Sequence, residues 1–346
     1  MSDAAVGTRF GPIRETPPTP VLDDLANPPA EWEQVRIGTD DPGFPNGGLW
    51  RFIDPGSRQH LAVKRTGPTF LGGAHVWSLT TDPDDAMWWG REAQFYLSDL
   101  ASEGWSSGVR PARCWVDDHD GWRDLWLEGV DDIPSSLDVC RRAVTGLAGW
   151  QVANADVDHG WLADNWIVRH VGRYGLDNDR TLAHPAWPSV IARGVDPALR
   201  DAVKIRLTDP AEIRRELADF PQLPTHHDFH NGNIGTVAEE VVIIDWAFVG
   251  RGPIGHDAGH LALTLEPQGA HDLVAAYGDL ESAYCDGLVD AGWTGDLAEV
   301  RRSMIMSNRI RLGWMIDYLL KTADQASDEQ LETASRFLLM LAGHRA

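Results

Sequence analysis

Cysteine is scarce: Cys114, Cys140 and Cys285 are odd in number and widely separated in 346 residues, which excludes a disulfide framework and a cysteine-based metal site. No uncharged apolar run reaches the ~18 residues that crossing a bilayer requires. The first residues, MSDAAVGTRFGP, lack a basic segment leading into an apolar one, so no signal peptide is expected. These absences predict a cytoplasmic chain with no membrane partner. Basic residues are also few, with 30 Lys and Arg against 52 Asp and Glu and a net charge of −22. Such a field repels nucleic acid, which is excluded as a partner. It either steers a cationic small molecule or serves solubility alone.

What is present is a substantial core, with 43% hydrophobic residues and 16 tryptophans. The length suits two lobes. Most of the tryptophans are expected inside, with a few free to stack on a base or sugar ring. Residues 1–30, carrying PPTP and a second Pro pair, show no periodicity and read as a loose tail. From 31 the pattern becomes one of short strands, at 35–38, 48–54, 60–65, 112–118 and 124–130. The Gly-, Pro- and Asn-rich loop TDDPGFPNG between the first two either lies over phosphates or is an ordinary turn. It matches neither G-x-G-x-x-G nor G-x-x-x-x-G-K-[ST].

In LAVK, at 61–64, alternation places Ala62 and Lys64 on one face and Leu61 and Val63 on the other. The small residue would floor a base while the ammonium reaches phosphates, unless Lys64 only solubilises an edge. Asp82 as cap, Pro83 at the first position and Asp84 with Asp85 in the first turn predict a helix over 83–100. Its apolar stripe includes Glu92, for which Lys64 is the obvious partner and solvent the alternative. The stretch LWLEGV then leads to a link between lobes, where the backbone of Leu127, Glu128 and Gly129 would read a purine edge.

From Ser135 the periodicity is helical, with helices expected at 137–154, 161–174, 210–220, 270–290, 297–322 and 328–343. Between them lies THHDFHNGNIGTVAEEVVIIDW, residues 225–246. His226, Asp228 and Asn233 fit the H-x-D-x-x-x-x-N loop of phosphoryl transfer, and Asp245 ends an apolar run where such enzymes place a metal-binding aspartate. If a turn at 238–240 joins two strands, Asn233 lies opposite Asp245, with Cα atoms roughly 4.5 to 5.5 Å apart. That makes a hard-oxygen site for Mg²⁺. Asp228, in the loop before the strand, is placed to orient a hydroxyl and take its proton. Other readings are a polar loop before a buried hairpin, a zinc site among three histidines, or an HHxxxDG acyl-transfer motif. Asn231 breaks the last of these, and no ligand spacing supports zinc. Asp257 is either an N-cap or a buried carboxylate bracing the loop.

With His226, Asp228, His230, Gly232, Asn233, Asp245, Trp246 and Asp257 in view, the chain resembles the aminoglycoside phosphotransferase and choline kinase-like family, whose core reads like HGDLHPGN followed by IDW. The resemblance implies an α+β, bilobal protein-kinase-like fold. Its small antiparallel-sheet lobe would be residues 31–130, and its larger helical lobe, with catalytic loop and acceptor site, residues 131–346. It further implies Asp228 as catalytic base, Asn233 and Asp245 as Mg²⁺ ligands, Lys64 on the phosphates and Glu92 holding Lys64. His227 and Asn231 replace the commoner Gly and Pro, which puts the local loop shape in question. ATP or GTP would be the donor and a hydroxyl of a small, sugar-containing molecule the acceptor. An antibiotic acceptor, and hence resistance, is expected first; an amino sugar or choline is the alternative, as is a silent nucleotide-binding scaffold. Glu266, Asp286, Asp290 and Asp317 are candidate receivers of amines, or else solvated helix residues.

Overall fold

The computed structural model describes residues 33–37, 48–56, 60–68, 79–131, 133, 136–173, 181–206, 210–265 and 273–343. The expected tail, the Gly-rich loop at 39–47 and Glu266 lie outside them.

Five strands form one antiparallel sheet: β1 (Glu33–Ile37), β2 (Gly48–Ile53), β3 (His60–Thr66), β5 (Cys114–His119) and β6 (Trp122–Glu128), in the order β1-β2-β3-β6-β5. β4 (Val109–Pro111) precedes β5 and belongs elsewhere. Along β3 burial alternates as the sequence predicts. Leu61 and Val63 are buried, while Ala62 and Lys64 are half-buried. Val63 packs with Trp50, Phe52, Trp115 and Trp126 on one face. On the other face Leu125 and Leu127 of β6 pack with Cys114 and Ala93.

The helix expected over 83–100 is only α1 (Arg91–Tyr96). The acidic run before it folds as turns instead. Asp82 accepts from Asp84 N at 3.1 Å, and Asp85 accepts from Met87 N at 3.0 Å, so these side chains satisfy local backbone donors. The buried Arg91 guanidinium completes the arrangement, donating to the carbonyls of Asp85 at 2.7 Å, Pro83 at 3.0 Å and Val249 at 3.3 Å, and to that of Trp161. Helix would withdraw the carbonyls of Pro83 and Asp85 into its own ladder and leave this cation unmatched.

The helical part begins with α2 (Leu137–Ala153), capped by Ser136, and continues through α3 (Trp166–Arg173), α4 (Trp187–Ala192), α5 (Ala198–Arg206) and α6 (Pro210–Ala218). Next come β7 (Gln222–Thr225), the hairpin β8 (Ile234–Val237) and β9 (Glu240–Ile243), and β10 (Gly250–Pro253), which pairs with β7. α7 (His256–Thr264), α8 (Leu273–Asp290), α9 (Leu297–Arg309), α10 (Leu312–Thr322) and α11 (Asp328–Leu341) complete the chain. The single helix expected over 297–322 is thus two, broken at Ile310 and Arg311. No helix among the described residues is long and apolar enough to cross a membrane.

One large core joins α2, α7 and α8 to the β8–β9 hairpin and includes Trp150, Trp246, Ile243 and Tyr284. A buried polar chain threads it. Gly255 N donates to Tyr284 Oη at 3.1 Å, Tyr284 to Gln151 Oε1 at 2.6 Å, and Gln151 Nε2 to the Pro224 carbonyl at 2.9 Å. β7, which leads into the loop of residues 226–233, is therefore tied to both α2 and α7 before any functional residue is considered. β4 pairs in parallel with β9, so residues 109–111 of the first half join the hairpin of the second. The result is a bilobal α+β molecule of the protein-kinase-like type.

Candidate active site

The loop after β7 carries the polar side chains singled out by sequence. Its backbone is fixed from below by Asp257, which is buried and accepts from His226 N at 2.7 Å and His227 N at 2.9 Å. Asp257 is the second residue of α7, whose N-cap is Gly255 at φ 81, so it braces the loop rather than capping the helix. Burial raises its pKa to about 7 despite those two donors.

His226 is enclosed and keyed to the hairpin. Its Nε2 donates to the Ile244 carbonyl at 2.9 Å and its Nδ1 accepts from Asp228 N at 3.2 Å, which assigns the proton to Nε2. Burial lowers its pKa to about 4, so the ring stays neutral. His227 stands at φ 69, the left-handed region that the commoner Gly enters freely. Its ring is stacked on Trp166, with centroids 4.8 Å apart, and its Nε2 meets the Arg251 carbonyl at 3.2 Å. Arg311 lies over the other side of this cluster, 5.1 Å from the Trp166 ring, and donates to the His227 carbonyl at 3.3 Å.

The hairpin differs from its expected register by one residue. Val237 pairs with Glu240 across a two-residue turn, and Ile234 with Ile243. Ala238 adopts φ 54 to make the tighter turn, and Glu240 becomes the first strand residue, ion-paired to Arg110 at 2.8 Å. Tight two-residue turns match strand twist, and a slip by one would exchange Val241 and Ile243, which pack in the large core, with Val242, which packs against Ala93, Leu125 and Leu127. Asn233 consequently lies opposite Ile244, whose N–H donates to its carbonyl at 3.0 Å, not opposite Asp245. Asp245 leaves the ladder at φ 63, at the same open end.

Asp228 and Asp245 keep 32% and 38% of their side chains exposed, in contrast to the enclosed His226. Although partly exposed, the Asp228 carboxyl loses enough of its hydration to the surrounding protein that its pKa is raised, with His230 pulling the other way. Asn233 Nδ2 donates to the Asp228 carbonyl at 2.9 Å and lies 3.5 Å from its Oδ2, leaving the amide oxygen for another partner.

Lys64 Nζ stands between two carboxylates, 2.6 Å from Glu92 Oε2 and 2.5 Å from Asp245 Oδ1. Burial acts to lower the ammonium pKa, and the two carboxylates outweigh it, so the net shift is upward. Lys64 likewise holds Asp245 below its ordinary value against the effect of burial. Trp246 anchors this junction, stacking on Phe95 of α1 at 4.1 Å and tilting against His226 at 4.5 Å.

The other expected nucleotide contacts are dispersed along β3 and β6. Ala62 pairs with Leu127, on the same half-buried face as Lys64. Glu128 N donates to the Arg113 carbonyl at 3.0 Å, so this N–H is spent inside the sheet. Its buried carboxylate accepts from Arg110 and from Arg113 N at 2.6 Å. Gly129 is packed against His60, whose carbonyl would lie 2.3 Å from an added Cβ. Asp317 is ion-paired to Lys321, and Asp286 and Asp290 are exposed on α8. Sequence reasoning gave no role to Arg311 or Trp166; the only written signal is an Arg inside the apolar run that also breaks the helix.

The donor set suits a hard divalent cation. The freed amide oxygen of Asn233 and the carboxylate of Asp245, neutralised by an ammonium, are the oxygen ligands Mg²⁺ prefers. No group of three or more His, Cys, Asp or Glu fit for a metal occurs among the described residues.

A model of the phosphotransferase enzyme family, APH, matches residues 117–291, about half of the chain. Among solved structures, an amicoumacin kinase in complex with AMP-PNP, Ca²⁺ and Ami is 12% identical at TM-score 0.49, over 90% of this chain and 88% of that one. A choline kinase from Cryptosporidium parvum Iowa II is 12% identical at TM-score 0.45, over 90% and 89%. A macrolide 2'-phosphotransferase from Brachybacterium faecium is 15% identical at TM-score 0.42, over 88% and 91%. A comparison with curated protein sequences finds no match.

Proposed function

The chain belongs to the phosphotransferase enzyme family and is a small-molecule kinase acting on hydroxyl groups, and from that premise we propose that it moves the γ-phosphoryl group of ATP or GTP to a sugar-containing acceptor. The observation that carries this reading is the convergence of Lys64 from β3 with Glu92 from α1 and Asp245, at contacts of 2.6 Å or less, at the open end of the hairpin, where Asn233 bonds to the loop residue Asp228.

In the proposed reaction the acceptor hydroxyl gives its proton to Asp228 as its oxygen bonds to the γ-phosphorus. The bond from that phosphorus to the bridging oxygen breaks, and the nucleoside diphosphate leaves with the electron pair. The raised pKa of Asp228 brings it nearer the range useful for a base at neutral pH. Lys64 meets phosphate charge, and Glu92 fixes the ammonium in place. Asn233 Oδ1 and Asp245 would hold Mg²⁺, which neutralises phosphate charge when bound. Residues 31–130 would form the nucleotide lobe, with the purine placed along Ala62, Leu127, Glu128 and Gly129. Because Glu128 N is engaged by Arg113, the base would use the chain from the Glu128 carbonyl onward.

For the acceptor, the net charge of −22 supports a molecule that carries amines, and an aminoglycoside-like antibiotic fits, with resistance as the biological consequence. The discriminating experiment is a mass-spectrometric search for a gain of one phosphate across aminoglycosides, nucleoside antibiotics, macrolides, amino sugars and choline, with ATP and with GTP. Phosphorylation of an antibiotic supports the full reading. Phosphorylation of choline or an amino sugar alone replaces the resistance role with a metabolic one. Nucleotide binding without transfer to any acceptor contradicts the proposal.

A further inference from the structure

His230 lies two residues beyond Asp228, and the reaction as written above does not use it. It is the N-cap of the short turn Asn231–Asn233, where its Nδ1 accepts from Gly232 N at 3.0 Å. A ring nitrogen that accepts carries no proton, so the ring proton is on Nε2. That N–H faces Asp228, with Nε2 at 3.8 Å from Oδ2, and the two side chains are equally exposed at 32%. The separation exceeds a direct hydrogen bond, yet one oxygen placed about 2.8 Å from each atom spans it. Asn233 Nδ2, at 3.5 Å from the same Oδ2, and the His260 ring, with its centroid 6.1 Å from that of His230, also lie near the gap, and Asp245, Lys64 and Arg311 act on Asp228 electrostatically. Thr264 completes the support from α7, its Oγ1 accepting from Asn231 N at 3.4 Å.

We propose that His230 is a catalytic residue that binds the acceptor oxygen itself: the reacting hydroxyl sits astride the gap, accepting from His230 Nε2–H while donating to Asp228 Oδ2. The inference rests on the reading of Asp228 as the base. Its addition is that the nucleophile is held by two points on one loop. The N–H contact selects the rotamer in which the hydroxyl hydrogen points at the carboxylate and a lone pair is free for phosphorus. The proton still goes to Asp228, and His230 keeps its Nε2 proton throughout the step. An acceptor whose hydroxyl is alkylated retains the first contact and loses the second.

The test compares His230→Asn and His230→Gln with the wild-type enzyme, using an acceptor found in the search above. Asparagine keeps an oxygen able to accept from Gly232 N as an Asx cap, but its amide is too short to reach the hydroxyl. Glutamine restores an N–H at the longer reach. The expected result is a loss of about tenfold or more in kcat/KM for the acceptor with Asn, a partial recovery with Gln, and a nucleotide KM and melting temperature within experimental error of wild type. His230→Asn with acceptor kcat/KM within twofold of wild type overturns the inference, as does an equal loss in nucleotide KM. A wild-type enzyme that transfers phosphate to no acceptor overturns the assignment of Asp228, and this inference with it, which separates the two failures.

Discussion

At φ 69 a side chain with a Cβ is strained by about 1 kcal/mol or more, and His227 offsets that cost by stacking on Trp166 and bonding to the Arg251 carbonyl. The ring occupies space left by Gly252, where an added Cβ would stand 2.6 Å from His227 Cε1. Gly252→Ala should therefore destabilise by about 1–3 kcal/mol. His227→Gly should be nearly neutral, and the double variant should recover much of the Gly252→Ala loss. A double-mutant cycle by urea unfolding checks this, and simple additivity would contradict it. A second residue-level prediction concerns acid. Burial lowers both His226 and His227, so the unfolded chain binds protons near pH 6.5 that the folded loop refuses, and stability falls as pH drops from there toward 4. Asp257 has the opposite sign. Its contribution is present below about pH 4 and is lost as pH rises through about 7. Asp257→Asn removes one group that opposes the histidines, so between pH 4.5 and 6.5 its stability should change with pH more positively than that of wild type, by about 1.4 kcal/mol per pH unit, and an unchanged slope would count against the assignment. At this scale the sequence was legible wherever a residue type has a chemical job. Asp257 could be read as a brace because a carboxylate beside a loop needs donors. The strain at His227 could not, because backbone angle is not written in a single letter.

The elements show where local rules met a stronger competitor. DPDD before Arg91 satisfies every preference for a helix start, yet its carbonyls turn inward to a buried guanidinium whose pKa burial lowers to about 10. Arg91→Met should cost about 3 kcal/mol, because buried carbonyls lose charge-assisted bonds. Thermal unfolding checks this, and a change near zero would show that the turns stand without the cation. The strands of the first lobe were legible because alternation survives in β3, whose two faces differ in burial. The hairpin β8–β9 was legible in existence but not in register. A two-residue and a three-residue turn both fit the letters AEE, and only the packing of Val241 and Ile243 on one side and of Val242 on the other decides between them. The break between α9 and α10 was hidden for a related reason. Its cause is the docking of Arg311 under the catalytic loop, a contact with a residue 84 positions away in the chain.

Across the whole molecule, Lys64 Nζ links the sheet to the hairpin through Asp245, while Trp246 and Phe95 stack behind it. The bilobal form was legible because its two halves use different periodicities. The acceptor was not, since no motif in the sequence is tied to one class of acceptor. If Asn233 and Asp245 hold Mg²⁺, ATP with Mg²⁺ should raise the melting temperature more than ATP alone, by an amount equivalent to about 2.7 kcal/mol at a hundredfold excess over Kd. Asp245→Asn should abolish the difference made by the ion, and its persistence would exclude the assigned ligand. The most direct measurement of the central claim is phosphate transfer by Asp228→Asn to the best acceptor, alongside its thermal shift with Mg²⁺ and nucleotide. The account predicts turnover lower by about 10²–10⁴-fold with the nucleotide shift retained. Turnover equal to wild type would contradict it.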